Sequence, residues 1–247
     1  MITFDSKQFF LVTGASSGLG EGVALYLNSL GASVIAIARN HERLQALKEK
    51  CTHPDNMRIE IRDLATDIDT LPEYVKSLRD KYGKLQGLAY CAGIGSVKPL
   101  QLLDYANERA LFDINYYAPL FMIKGFSDRR INNGKGSAIV VISSMSAKFN
   151  DKGHTIYSGT KAAITSSCRC LAKELAPRGI RLNCVSPSII KTPLTASGSS
   201  VDLSVQEEKY PFGFGEVDDV VNLIVFLLSD KSKWITAQDY IVDCGTL

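Results

Sequence analysis

The 247-residue chain is 45% hydrophobic, and its 28 Lys and Arg against 26 Asp and Glu leave a formal net charge of +2. That balance supports a sizeable core. It excludes the basic surplus of a nucleic-acid binder and the polar bias of a disordered chain. Phe9–Val12 is a short apolar run of strand type, and it leads into Thr13-Gly-Ala-Ser-Ser-Gly-Leu-Gly20. A helical pattern follows to about Leu30. Further strand-like runs fall at Ser33–Ile37, Met57–Ile61, Gly87–Tyr90, Ala138–Ile142, Arg181–Val185 and Tyr240–Val242, with helical patterns between them. This alternation predicts one α/β domain over 1–247. It is a Rossmann-like, doubly wound parallel sheet with helices on both faces.

Strand, glycine turn and helix is the context a dinucleotide fingerprint requires. Gly14 permits a tight turn; Gly18 and Gly20 let backbone approach a pyrophosphate and let helix pack on sheet. Ser16, Ser17 and Leu19 lie between them and are expected among the cofactor contacts. The helix N-terminus adds free N–H groups and partial positive charge. About twenty residues past the glycines, sites for NAD carry an acid for the ribose 2′-hydroxyl. This chain has Ala38 and then Arg39. Arg39 suits a 2′-phosphate as a planar, charged fork, so NADP is expected over NAD.

Tyr157-Ser-Gly-Thr-Lys161 sets a phenol and an ammonium four residues apart, one helical turn, on one face. A tyrosine ionises near pH ~10, too high for ready proton exchange near neutrality. A neighbouring ammonium is expected to lower that value.

With both motifs present, the chain resembles the short-chain dehydrogenase/reductase family over nearly its whole length. Its pattern is similar to that of 3-oxoacyl-acyl-carrier-protein reductases. Ile139-Val-Val-Ile-Ser-Ser144 looks like the strand ending in the family's catalytic serine, and Ser144 lies thirteen residues before Tyr157. Alternation along a strand sends Ser143 to the other face. The resemblance implies Tyr157 as acid/base, Lys161 as its modulator and ribose contact, Ser144 as carbonyl donor, and Asn115 as holder of a relay water. It places Asp63 and Leu64 at the adenine, and Ala92 and Gly93, in Tyr90-Cys-Ala-Gly93, by the adenosine ribose. Pro187, Ile190 and Thr192 fall at the nicotinamide. Two positions depart from the family: Cys91 stands where an asparagine is usual, and Ser188 where a glycine is usual. A substrate lid is expected at about 194–210.

The function expected is hydride transfer between NADP(H) and a carbonyl or alcohol substrate, which could be a carrier-bound 3-oxoacyl thioester. The alternatives are a sugar or sugar-nucleotide reductase, or a dinucleotide-sensing protein without turnover. The full set of Asn115, Ser144, Tyr157 and Lys161 argues against the last. Six scattered cysteines and three histidines show no metal spacing, so no metal is expected and the thiols are expected to be reduced. Asp5 and Lys7 interrupt the start, so no leader is expected, and the longest apolar stretch, near Val220–Leu228, is too short to span a bilayer. A cytoplasmic protein with no nucleic-acid or membrane partner is expected. Apolar residues over Val217–Leu228 cover more than one helix face. A subunit interface of a homodimer or homotetramer would explain them, and so would a helix wholly buried within the chain.

Overall fold

Each apolar run forms a strand in the computed structural model, which describes residues 1–198 and 207–246. The strands are β1 (Phe9–Thr13), β2 (Ser33–Ala38), β3 (Met57–Ile61), β4 (Leu85–Tyr90), β5 (Ala138–Ile142), β6 (Arg181–Pro187) and β7 (Asp239–Val242). All pair in parallel, in the order β3-β2-β1-β4-β5-β6-β7. The order reverses between β1 and β4. A crevice therefore opens at their carboxyl ends, where such sheets bind ligands.

Side-chain alternation divides the core in two. Phe10, Val12, Val34 and Ala36 point to one face, and Leu11, Ile35 and Ile37 to the other. Helices α1 (Gly18–Ser29) and α2 (His41–Glu49) cover the first face. Helices α3 (Leu71–Tyr82), α4 (Tyr105–Phe112), α5 (Ala118–Phe126) and α6 (Thr155–Leu175) follow. Of these, α3, α5 and α6 cover the second face through residues such as Leu78, Phe126 and Ile164. A widened π turn, Asp113–Tyr117, joins α4 to α5 and carries Asn115. Such turns recur at functional positions.

After β6 come α7 (Pro193–Gly198) and α8 (Val217–Leu228). Part of the expected lid, 199–206, lies outside the described residues. The apolar surplus of α8 is answered within the chain. Val220, Val221, Ile224, Val225, Leu227 and Leu228 are buried in the same cluster as α1. Gly22 lets the two helices meet: a Cβ there would lie 2.6 Å from Val217 Cγ1. The composition of α8 thus gives little support to a subunit interface on this helix.

All six cysteines are free; Cys51, Cys168 and Cys184 are buried, whereas Cys170 is exposed. Among the described residues, no helix is long and apolar enough to cross a membrane.

Candidate active site

The glycine loop begins where β1 ends. The Thr13 hydroxyl accepts hydrogen bonds from the backbone N–H of Cys91 (3.0 Å) and Ala92 (3.1 Å), tying β1 to β4 across the crevice. Gly14 and Gly18 have φ of +66° and +55°, the left-handed region that side chains disfavour. A Cβ on Gly14 would also sit 2.9 Å from Ala92 N, and one on Gly20 would run into the Gly14 carbonyl. Ser17 caps α1 without a side-chain hydrogen bond, so the first-turn amides of the helix are not occupied by its cap.

A cleft of about 450 Å³ runs from this loop along the sheet edge. Every position expected to contact a cofactor lines it: Gly14, Ser16, Ser17, Gly18, Leu19, Gly20, Arg39, Asp63, Leu64, Ala92, Gly93, Tyr157, Lys161, Pro187, Ile190 and Thr192. Ser144 lines it as well, whereas Asn115 stands behind the wall. The glycine cradle, the open helix terminus and the elongated cleft fit a dinucleotide.

Strand β5 delivers two serines with different surroundings. Ser143 is buried, its hydroxyl 2.6 Å from the Thr165 hydroxyl and 3.2 Å from the Lys161 carbonyl, which it donates to. Ser144 caps the short helix Met145–Ala147, where its hydroxyl accepts from Ser146 N–H at 3.2 Å. Its side chain neighbours the Tyr157 phenol and acts to lower the pKa there.

Lys161 and Tyr157 come from the first two turns of α6. The Lys161 ammonium is buried and donates to the Ile142 carbonyl at 2.9 Å. Burial, the largest cause, pushes its pKa down to about 8. Burial also raises the Tyr157 pKa, and the Ser144 side chain offsets part of this. The expected lowering by Lys161 is therefore corrected. The ammonium lies 5.8 Å from the phenol ring centroid and is bonded to a carbonyl, so desolvation dominates.

The Asn115 side chain is a clamp. Its Oδ1 accepts from Ile94 N–H at 3.0 Å, and its Nδ2 donates to the Ile94 carbonyl (2.9 Å) and the Thr160 hydroxyl (3.2 Å). Both amide protons are committed. One carbonyl lone pair is left for the expected relay water.

At the far end, pairing of Ala38 with Ile61 brings Arg39 beside Asp63. Their ion pair is loose, at 3.6 Å, and the Arg39 side chain is 73% exposed. Arg62 also lines the cleft, a position sequence reasoning missed. Its only signal was adjacency to Asp63. It donates to the Thr70 hydroxyl at 3.0 Å and lies over the Tyr74 ring. Ile94 was likewise not anticipated as a lining residue, whereas Leu194 and Thr195, which also line the cleft, fall within the expected lid.

The two departures are both accommodated. Ser188 is not among the residues with positive φ, so its backbone does not require glycine. Cys91 lines the cleft near Lys161, and burial raises its pKa to about 12, keeping it a neutral thiol. Among the described residues there is no group of three or more His, Cys, Asp or Glu able to hold a metal ion.

Comparison with known proteins follows the same lines. A family model described as Enoyl-(Acyl carrier protein) reductase matches residues 14–246. An L-xylulose reductase of Caenorhabditis elegans is 34% identical, over 98% of this chain and 96% of that one. A 3-oxoacyl-[acyl-carrier-protein] reductase of Thermotoga maritima is 32% identical, over 95% and 96%. Among solved structures, a short chain dehydrogenase from Burkholderia cenocepacia in complex with NADP aligns with TM-score 0.88 and 27% identity, covering 97% of this chain and 98% of that one.

Proposed function

The chain belongs to the short-chain dehydrogenase/reductase family of oxidoreductases, and from that premise we propose that it is an NADP(H)-dependent reductase of small hydroxylated ketones. The observation that carries the reading is the convergence of Ser144, Tyr157 and Lys161 on the cleft built by the glycine loop. When bound, the nicotinamide supplies or receives the hydride. Ser144 donates a hydrogen bond to the substrate carbonyl and orients it. Tyr157 gives its proton to the same oxygen as negative charge develops there. Lys161 is the nearby cation that favours the phenolate left behind. Asn115 holds the loop at Ile94 in place and has a lone pair for a relay water. Arg39, with no acid at position 38 beside it, supports a preference for the 2′-phosphate of NADP. The substrate class rests on the sugar-type relative and on the hydroxyls gathered near the cleft.

A second reading, reduction of a 3-oxoacyl thioester, is favoured by the Thermotoga relative and by two apolar side chains at the cleft. Ile94 and Leu194 line it and are 37% and 47% exposed. An acyl chain could lie against them. Self-association into a dimer or tetramer belongs to the proposal through the family and not through α8, and light scattering at micromolar concentration tests it.

The test of activity is steady-state oxidation of NADPH with a panel of short ketoses, diketones and acyl thioesters, run in parallel on Tyr157→Phe. Loss of the phenol proton should lower turnover by about 10²-fold or more while NADPH binding persists. Unchanged turnover would mean that Tyr157 is not the proton donor.

A further inference from the structure

We propose that the hydroxyls of Ser188 and Tyr210 form a specificity-determining pair that selects ketones carrying a neighbouring hydroxyl. The proposal rests on the reductase reading above and deepens its substrate class. Ser188 lines the cleft, next in sequence to Pro187. Its Oγ lies 2.6 Å from the Tyr210 hydroxyl. Tyr210 arrives from a different stretch of chain, the segment that returns toward α8.

Both partners are held in place. Ser188 N–H donates to the Val242 carbonyl at 2.9 Å, fixing its backbone to β7. The Tyr210 ring packs edge-on against Phe214, with centroids 5.1 Å apart, and Phe214 is buried. Beyond Phe214 the returning chain is bonded along 189–191. Lys191 N–H donates to the Gly215 carbonyl at 2.9 Å, and Gly215 N–H to that of Ile189 at 3.1 Å. The Lys191 ammonium pairs with Glu216 at 2.9 Å. Tyr210 is thus delivered to Ser188 by a bonded frame, and the two hydroxyls meet without either having to reorganise a free loop.

The chemistry follows from counting protons. Two hydroxyls carry two protons, and their mutual bond uses one. One donor and several lone pairs remain, side by side. A carbinol on the substrate also both donates and accepts, so it can complete this pair. A methylene chain can neither donate nor accept, and a diketone's second carbonyl can accept the remaining proton but has none to return, so desolvating the pair against either leaves polar groups unmatched. Sites built to bond a substrate hydroxyl discriminate strongly against analogues that lack it. A glycine at 188 would have no hydroxyl for either role.

The test compares two four-carbon substrates with NADPH: erythrulose, which has hydroxyls beside its carbonyl, and butane-2,3-dione, which has none. Wild type, Tyr210→Phe and Ser188→Ala are measured with both. The readout is the ratio of kcat/KM for erythrulose to that for the diketone. Because the ratio is internal to each preparation, partial unfolding cancels. Each variant should lower it by about tenfold, the worth of one hydrogen bond, chiefly through KM for erythrulose. The double variant should lose little more than either single one. A ratio unchanged within twofold in both variants overturns the proposal. So does an equal loss on both substrates, which would make the pair a structural clasp. A wild type that reduces the diketone and not erythrulose overturns it together with the hydroxylated-ketone substrate class, while leaving carbonyl reduction itself intact. Turnover of no ketone or thioester with either nucleotide overturns both.

Discussion

Lys161→Met should stabilise the fold near neutrality while impairing turnover. The structure buries the ammonium, with the Ile142 carbonyl as its acceptor among the described residues, and places its pKa at about 8 against an ordinary 10.5. The folded value lies below the unfolded one. Between about pH 8 and 10.5 the unfolded chain therefore binds more protons, and stability rises with pH across that window. Below it the folded state carries the full penalty of a buried charge. Above it both states are neutral and the penalty is gone. A shift of this size corresponds to about 3 kcal/mol at 1.36 kcal/mol per pH unit. Methionine has similar bulk and no charge. It gives up the charge-assisted bond to Ile142, a loss of about 2 kcal/mol, so the net gain near pH 7 should be about 1 kcal/mol. Urea unfolding of both proteins at pH 7 and near pH 10.5 measures it. The gain should be present at the lower pH and shrink at the higher. Other groups that titrate in the window are common to both proteins and cancel in the difference. Destabilisation at pH 7, or a gain that does not change with pH, would refute the account of Lys161 as a cation held at a cost for the sake of the site.

Three further outcomes are expected. Reduction of a ketone by the wild type should weaken as pH rises through about 8, where Lys161 loses its charge; a kcat/KM profile flat from pH 7 to 10 would contradict this. Arg39→Ala should reduce kcat/KM with NADPH by about tenfold, and with NADH by much less, since only NADPH carries the 2′-phosphate; equal losses would make Arg39 a general surface residue. Ser143→Ala should lower stability by about 1 kcal/mol, because the Thr165 hydroxyl loses its 2.6 Å partner, whereas Ser144→Ala should lower turnover with little change in melting. The reverse pattern would exchange the two serines.

The fold was legible because its signals are local. Strands buried on both faces, such as β2, require continuous apolar runs, and those stand out in the sequence. The glycine loop was legible because left-handed angles and close contacts at Gly14 and Gly18 leave few other residues possible. What sequence could not give depends on contacts between distant segments. The fate of α8 turned on Gly22, nearly two hundred residues away, which admits Val217 and Val221. Arg62 joined the cleft only through the register of β2 on β3. The pKa of Tyr157 could not follow from its spacing to Lys161. Spacing fixes that the two share a helix face, but not that the ammonium bonds Ile142 and that burial dominates the phenol.

One consequence of the topology links these parts. Thr13, at the end of β1, accepts from the two residues that begin the loop after β4. That same loop is gripped three residues later by Asn115, from the π turn between α4 and α5. Asn115 also receives support from Thr160, whose hydroxyl donates to the Tyr157 carbonyl in α6. The glycine loop and the helix that presents Tyr157 and Lys161 are thus connected through the short segment 91–94 and the side chains of Thr13, Asn115 and Thr160. Gly93 lies within that segment, and a Cβ there would be 3.0 Å from Asn115 Oδ1 and 3.5 Å from Lys161 Nζ. The absence of a side chain at 93 therefore serves both ends of the site: it leaves the cleft open above, and it lets the clamp and the buried ammonium close up beneath.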